Sequence, residues 1–314
     1  MSTIALFGAA GAIGQSIASA LRGQGRPYRV VGRDEASLRA AFGTDPLAEI
    51  VTWNPDVPAS VVAAASGIET LIYLVGVNYW QFALHPELMR KTLAGALAAG
   101  VRNIVLIGTV YPYGRALANP VREDHPRQPH TFKGRMRKAQ EDVLLEAHAQ
   151  GRINATVLRL PDFYGPGVSA SLLHGAAVAA SSGDGGRADM LGPLDRPHEF
   201  VFVPDVGPVV LRLLATPAAF GSVWHLGGAA VTTQRALVQE MERQSGARLR
   251  LRVAGKTMLR LAGLFNPMMR EMVEMNYLLT EPLLLDDTAL QRLIGPIRKT
   301  PYAQGIAQTL AAAR

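Results

Sequence analysis

Residues 4–14 of the chain read IALFGAAGAIG, and this stretch decides the fold. The apolar run 4–7 predicts a buried strand, and the periodicity of residues 13–21 predicts a helix. Between them lies the spacing G-x-x-G-x-x-G. Such a turn lets the backbone approach a pyrophosphate closely, and the helix N-terminus offers the pyrophosphate free N–H groups. The stretch therefore predicts a dinucleotide site, formed by Gly8, Ala10, Gly11, Ala12, Ile13 and Gly14.

A second strand, predicted at 29–31, ends in Gly32, Arg33 and Asp34. An acidic residue at this place binds the ribose 2′-hydroxyl of NAD, whereas an arginine suits the 2′-phosphate of NADP. Arg33 therefore favours NADP(H) over NAD(H). Asp34 has two interpretations, because its carboxylate can bind the hydroxyl or cap the next helix.

Beyond the turn, short apolar runs alternate with helical patterns. Strands are predicted at 4–7, 29–31, 49–51, 71–75, 104–107 and 156–158, and helices at 13–21, 60–65, 86–99 and 138–149. This alternation predicts an α/β fold, a doubly wound parallel sheet of the Rossmann type. We expect the cofactor domain to span residues 1–165, with 200–227 returning to it. A smaller C-terminal substrate lobe would comprise 166–199 and 228–314, and Asp205 is placed to cap a helix at 206–214.

Composition excludes several classes of protein. The 314 residues are 48% hydrophobic and 18% charged, which excludes a disordered chain. The absence of cysteine excludes disulfides, thiolate-bound metals and a thiol nucleophile, and the histidines lack metal-ligand spacing, so no metal is expected. The net charge is +7, but the arginines are scattered along the chain. They indicate a solvated surface rather than a nucleic-acid groove.

No apolar run approaches the ~20 residues of a membrane span. The first strand begins too close to Met1 for a signal peptide, so a cytoplasmic protein is expected. The expected partner is a small-molecule substrate, with neither nucleic acid nor membrane. The helices predicted at 86–99 and 138–149 are compatible with a homodimer. In the C-terminal part, Arg248, Arg250 and Arg252 alternate as on a strand edge, and the methionine-rich stretch 258–275 indicates core, an apolar pocket or a subunit interface.

Three further motifs carry a family resemblance. These are LVG at 74–76, IGTVYPYG at 107–114 and LRLPDFYGPG at 158–167. Together with the glycine turn they resemble the extended short-chain dehydrogenase/reductase superfamily, the NAD(P)-dependent epimerases and dehydratases, and more narrowly its atypical members. The last two motifs are similar to the S-S/T-x-x-x-Y-G and L-R-x-x-x-x-Y-G-P-G patterns of that superfamily.

The resemblance implies roles for individual residues. Thr109 takes the place of the active-site Ser or Thr that bonds the reacting oxygen of the substrate. Tyr111, two residues later, is a candidate proton donor. Contacts with the cofactor are implied for Val75 and Gly76 beneath it, for Pro161 and Phe163 beside the nicotinamide, and for Asn54 near the adenine.

The Y-x-x-x-K motif of the superfamily is missing. Lys133 stands at the tyrosine position and Arg137 at the lysine position, with Glu141 one helical turn later. Arg137 can bind a ribose or phosphate but cannot relay protons. Lys133 is interpreted in three ways: as the acid/base, as a surface lysine, or as a ligand of phosphate or carboxylate. The K-x-x-x-R pattern is also similar to the isoflavone-reductase-like members, in which a lysine takes over catalysis.

Two functions follow from these observations. The first is an NADP(H)-dependent oxidoreductase or epimerase/dehydratase-like enzyme acting on a small carbonyl or alcohol, with Thr109, Lys133 and Tyr111 as catalytic residues. The alternative is a non-catalytic NADP(H)-binding sensor or regulator that lost the tyrosine–lysine pair. The missing pair favours the sensor or regulator, and the retained substrate lobe favours the enzyme.

Overall fold

The computed structural model describes residues 3–182 and 186–313. Its main sheet contains the strands β1 (Ile4–Phe7), β2 (Tyr28–Gly32), β3 (Ala48–Thr52), β4 (Thr70–Tyr73), β5 (Asn103–Thr109), β6 (Asn154–Leu160) and β10 (Val223–His225). Four further strands lie outside it: β7 (Asp162–Tyr164), β8 (Arg187–Leu191), β9 (Phe200–Phe202) and β11 (Arg250–Ala254).

The helices of the first half are α1 (Ala12–Gly23), α2 (Glu35–Phe42), α3 (Pro58–Ala65), α4 (Leu84–Ala98) and α5 (Phe132–Ala149). Those of the second half are α6 (His174–Ser181), α7 (Val206–Leu214), α8 (Gln234–Ser245), α9 (Lys256–Ala262), α10 (Pro267–Met275), α11 (Tyr277–Thr280), α12 (Thr288–Ile294) and α13 (Tyr302–Ala312). Within the described residues, no helix is both long and apolar enough to span a bilayer.

The main sheet has seven parallel strands in the order β3-β2-β1-β4-β5-β6-β10. Alternate residues of each strand face two separate cores. Leu6 of β1 packs with α1 and α7 on one face, and Ala5 packs with α3, α4 and α5 on the other. The predicted doubly wound α/β fold is therefore confirmed. Since all strands run in one direction, the carboxyl ends of β1, β4, β5 and β6 meet at one edge of the sheet.

A smaller unit follows the main sheet. There β8 pairs with β11 and β7 with β9, and a third core joins α6, α8 and α13. The chain returns twice to the main sheet, first with α7 and β10. It returns again with α12, whose Leu290 is fully buried in the core beside α1 and α7.

Two local predictions need correction. The helix predicted at 138–149 begins at Phe132, because the Thr131 hydroxyl accepts a hydrogen bond from the Gly134 N–H at 3.0 Å and caps it. This earlier start places Lys133 in the first turn of α5. Asp205 does not cap α7 with its side chain. Instead its carboxylate accepts hydrogen bonds from the backbone N–H and the hydroxyl of Thr300, both at 2.7 Å.

Candidate active site

The glycine turn lies at the carboxyl edge of β1 and its geometry fits a dinucleotide. Gly8 has a φ of +86°, and a Cβ there would lie 2.8 Å from backbone atoms of Leu74 and Val75. A Cβ at Gly14 would lie 2.1 Å from the carbonyl oxygen of Ala9. Gly8 and Gly14 therefore permit the close packing of β1, β4 and α1.

Gly11 and Gly76 face open space instead, because a Cβ at either would meet no atom within 4 Å. Gly11 is the N-cap of α1 and supplies no side-chain cap, so the first N–H groups of the helix point outward without an intrahelical partner. The open space and these donors form the cradle that a pyrophosphate requires. Ala10 and Ile13 lie on the other side of the turn and pack against the core beneath it.

At the end of β2 the structure shows which of its two interpretations Asp34 fulfils. The Asp34 carboxylate accepts hydrogen bonds from the Ala36 N–H, at 3.1 Å, and from the Ser37 hydroxyl, so it caps α2. These bonds lower the pKa of Asp34. The Arg33 side chain is exposed, and among the residues described it contacts no acidic partner. Asn54 is also exposed, and its side-chain oxygen accepts a hydrogen bond from the Asp56 N–H at 2.9 Å.

Two phenols meet beyond the carboxyl ends of β4 and β5, Tyr79 after β4 and Tyr111 after β5. The hydroxyls of Tyr79 and Tyr111 lie 3.1 Å apart, and the Tyr111 N–H donates to the Thr109 hydroxyl at 3.3 Å. Burial, Tyr79 and Asp162 raise the pKa of Tyr111 well above its usual value. Burial also raises the pKa of Tyr79. Both phenols are therefore protonated at neutral pH and serve as hydrogen-bond donors.

Lys133 is buried beside Tyr79, with only 1% of its surface exposed. Its ammonium nitrogen forms ion pairs with Glu274, at 2.9 Å, and with Glu271, and both carboxylates come from α10. The Glu274 carboxylate also accepts the Lys133 backbone N–H at 3.1 Å. The rings of Tyr79 and Phe82 lie 6.0 and 5.7 Å from the ammonium. The interpretation of Lys133 as a surface lysine is therefore wrong.

Arg137, one helical turn later, is also buried. It donates to the carbonyl of Ile107 and to the Nδ1 atom of His85, both at 3.3 Å. Burial and the Arg137 charge lower the pKa of His85 to about 2, so the imidazole is neutral and accepts at Nδ1. Arg137 thus ties α5 to β5 and α4.

Glu141 and Arg159 form a buried ion pair beneath the site. The Arg159 guanidinium donates to both carboxylate oxygens of Glu141, through Nε at 3.0 Å, and its carbon lies 4.3 Å from the centre of the Tyr113 ring. Arg127 adds a contact to Glu141 at 3.3 Å. The pair fixes α5 to β6, and thereby holds Lys133 in its position on α5.

The structure thus brings Thr109, Tyr111 and Lys133 to one end of the sheet, with Tyr79 between the two last side chains. Pro161 is buried where β6 ends, and Phe163 lies half-buried in β7. Sequence reasoning missed the two glutamates that pair with Lys133. Their spacing of three residues on one helical face was the available signal, but the methionines around them indicated core or an apolar pocket. Within the described parts of the chain, no group of His, Asp or Glu is arranged to hold a metal ion.

Comparison with known proteins identifies the family. The sequence profile of the NAD dependent epimerase/dehydratase family matches residues 4–227, which is most of the chain. The chain belongs to this family. Its members are oxidoreductases of the Rossmann type that use nicotinamide dinucleotides, so the predicted class of cofactor is confirmed, although not the choice between NAD and NADP.

One curated relative is dTDP-6-deoxy-L-talose 4-dehydrogenase (NAD(P)(+)) of Kitasatospora kifunensis. It is 28% identical over 258 residues, which cover 77% of this chain and 79% of the relative. The dTDP-glucose 4,6-dehydratase DesIV of Streptomyces venezuelae has the same fold, with a TM-score of 0.80 at 17% identity, covering 98% of this chain and 96% of its own. UDP-glucuronic acid 4-epimerase of Bacillus cereus has a TM-score of 0.77 at 16% identity, covering 99% of this chain and 96% of its own.

Proposed function

We propose that this protein is an NADP(H)-dependent oxidoreductase that interconverts a ketone and a secondary alcohol on the hexose of a sugar nucleotide. The observation that carries the proposal is the buried Lys133 ammonium beside Tyr79, whose hydroxyl contacts that of Tyr111. The family resemblance puts Lys133 at the position of the catalytic tyrosine. The sugar nucleotide as substrate rests on the relatives named above. The small carbonyl or alcohol expected from the sequence is then one group of that sugar.

The chain's own groups suit the reduction of a carbonyl. The bound cofactor would supply the hydride. Thr109 and the Tyr79–Tyr111 pair would hold the substrate oxygen by hydrogen bonds, and Lys133 would donate a proton to that oxygen. An ammonium has three donors and no acceptor, so Lys133 in its ion-paired form can give a proton but cannot take one. Glu271 and Glu274 are partly exposed and can return a proton from solvent.

Kinetics of Lys133 variants test this role. NADPH oxidation is measured with a panel of keto-sugar nucleotides for Lys133→Met, Lys133→Arg and the control Lys138→Met, whose lysine pairs with Asp142 on the same helix. We expect Lys133→Met and Lys133→Arg to lower kcat by about 10²–10⁴-fold, because proton transfer is lost in both. The arginine variant keeps the charge, so an unchanged kcat there would show that the charge alone matters.

The preference for NADP(H) is supported by the engagement of Asp34 in the cap of α2, which leaves Arg33 as the exposed group at the ribose end. We expect Arg33→Ala to weaken NADPH binding about 10- to 100-fold, the value of a charge-assisted hydrogen bond, with little effect on NADH. Arg39→Ala, an exposed arginine of α2 paired with Glu35, is the control. Equal loss of affinity for NADH and NADPH would contradict the assignment.

We also propose further contacts with the cofactor, made by Asn54, Val75, Gly76, Arg137, Pro161 and Phe163.

The non-catalytic sensor is the second candidate, and the double ion pair of Lys133 is the observation in its favour. Two carboxylates already occupy two of the three donors of the ammonium. Tight NADPH binding without turnover of any substrate in the panel would select this function.

We also propose the domain division predicted from the sequence, a cytoplasmic location and a homodimer. Light scattering on the purified protein tests the dimer.

A further inference from the structure

The hairpin formed by α9 and α10 carries an exposed apolar tip. Phe265 has 91% of its surface exposed, Leu264 74% and Leu261 63%. Met258 and Met268 are also exposed and extend this tip. Contiguous apolar surface of this kind on a folded protein marks a contact with a partner or a lipid surface.

The surroundings of the tip are strongly basic. Residues 247–270 contain six arginines and lysines and no aspartate or glutamate. Lys256 and Arg260 are exposed, and within the described residues neither has an acidic partner within 4 Å. The tip is thus an apolar loop with a cationic base, in contrast to the mixed charges of the remaining surface.

A cleft of about 530 Å³ opens at the base of the hairpin, towards the first turn of α5. It is lined by Lys256 and Arg260 from α9 and by Phe132 and Arg135 from α5. Glu274 also borders it, but this carboxylate is paired with Lys133. Arg115 in the same cleft is paired with Glu281 at 3.2 Å, so Arg135, Lys256 and Arg260 are the charges left for an anion.

We propose that the α9–α10 tip docks this protein on an anionic bilayer, with Leu261, Leu264 and Phe265 among the acyl chains and a lipid phosphate in the cleft at Arg135, Lys256 and Arg260. Charge complementarity selects this occupant, because cations beside inserted apolar side chains are the pattern of interfacial membrane binding. A protruding loop also suits insertion into lipid better than contact between two flat surfaces. The expectation that the chain has no membrane partner rested only on the lack of a membrane-spanning segment. A protein that docks on the bilayer surface needs no such segment.

The same hairpin carries Glu271 and Glu274 towards Lys133. Docking would therefore take place at the start of the helix whose Glu271 and Glu274 pair with the proposed proton donor. The inference does not depend on the proposed oxidoreductase activity, since binding to vesicles can be measured without substrate or cofactor.

Vesicle flotation with the full chain tests the proposal. Phosphatidylcholine vesicles are compared with vesicles that also contain phosphatidylglycerol, for wild type, Phe265→Asp and the pair Lys256→Glu with Arg260→Glu. Val57→Asp is the matched control, because Val57 is an exposed apolar residue at the start of α3. We expect binding only to the anionic vesicles, at least a tenfold loss in both hairpin variants, and unchanged binding in the control.

Three results would overturn the proposal. Wild type that fails to float with anionic vesicles excludes docking. Equal binding by the Phe265→Asp variant removes the tip from the contact. Self-association that disappears in Phe265→Asp, measured by light scattering without lipid, would assign the tip to a second copy of the chain. Circular dichroism of each variant shows that a loss of binding is not a loss of folding.

Discussion

The ion pairs of Lys133 with Glu271 and Glu274 allow a quantitative test of how the site is closed. Removal of both carboxylate charges, in Glu271→Gln with Glu274→Gln, leaves a buried ammonium without a counterion. Breaking a buried pair from one side costs about 3–5 kcal/mol. Because both glutamates are partly exposed and glutamine still accepts a hydrogen bond, we expect a loss of about 2–3 kcal/mol in the free energy of unfolding.

The coupling between the partners distinguishes this cause from a general disturbance of α10. In a Lys133→Met background the ammonium is absent, so the same two glutamine substitutions should cost under about 0.5 kcal/mol. Urea unfolding followed by tryptophan fluorescence measures all four proteins, and Trp80 lies in the turn Tyr79–Gln81 against which α10 packs. Additive losses, with no recovery in the lysine-free background, would refute the reasoning.

Other predictions concern the turn, the scaffold and pH. Gly14→Ala should lower the free energy of unfolding by about 1–3 kcal/mol, because its Cβ would meet the Ala9 carbonyl. Gly11→Ala should change the free energy of unfolding by less than about 0.5 kcal/mol but weaken NADPH binding. Unchanged NADPH binding in Gly11→Ala would contradict the assignment of the cradle. Glu141→Gln should lower stability by about 3 kcal/mol in the same assay, since Arg159 loses its counterion; a loss below about 1 kcal/mol would contradict a buried pair. Burial and Arg159 lower the pKa of His225 to about 4. Below roughly pH 6.5 His225 is protonated in the unfolded chain but stays neutral in the folded protein. The free energy of unfolding therefore decreases as the pH is lowered, until the pKa of the folded state is reached. Between roughly pH 6.5 and 5 this effect amounts to about 2 kcal/mol, and His225→Gln should reduce the acid-induced loss by that amount.

The main sheet could be predicted because its signals are local. Apolar runs such as Ile4–Phe7 are buried on both faces, and the glycine turn fixes the start of α1. The helix ends were less accessible. With Thr131 as its cap, α5 begins at Phe132, six residues before the predicted start at 138. A hydroxyl cap needs only one suitable residue and leaves no periodicity in the sequence. Asp205 is the opposite case: the sequence predicts that it caps a helix, but its carboxylate binds Thr300, which is distant in sequence.

The candidate site was predictable only where it follows the family motif. Thr109 and Lys133 came from the family motifs and Tyr111 from its place two residues after Thr109, and the structure brings all three to one end of the sheet. Glu271 and Glu274 lie more than 130 residues beyond Lys133 in sequence. Such a contact depends on how the hairpin folds back over α5, and no local pattern contains that information. The cap formed by Asp34 also required side-chain geometry, since the sequence allowed Asp34 either of two roles.

The returning segments of the main sheet have a consequence for synthesis on the ribosome. The edge strand β6 is covered only when Val223–His225 has emerged, and the core beside α1 and α7 is completed by Leu290. Until then the nascent chain holds a strand edge and an apolar face open to solvent, which are the surfaces that invite aggregation. We therefore expect the cofactor half to be unable to fold ahead of the rest. Truncations before residue 290 should yield chains that chaperones retain or proteases remove.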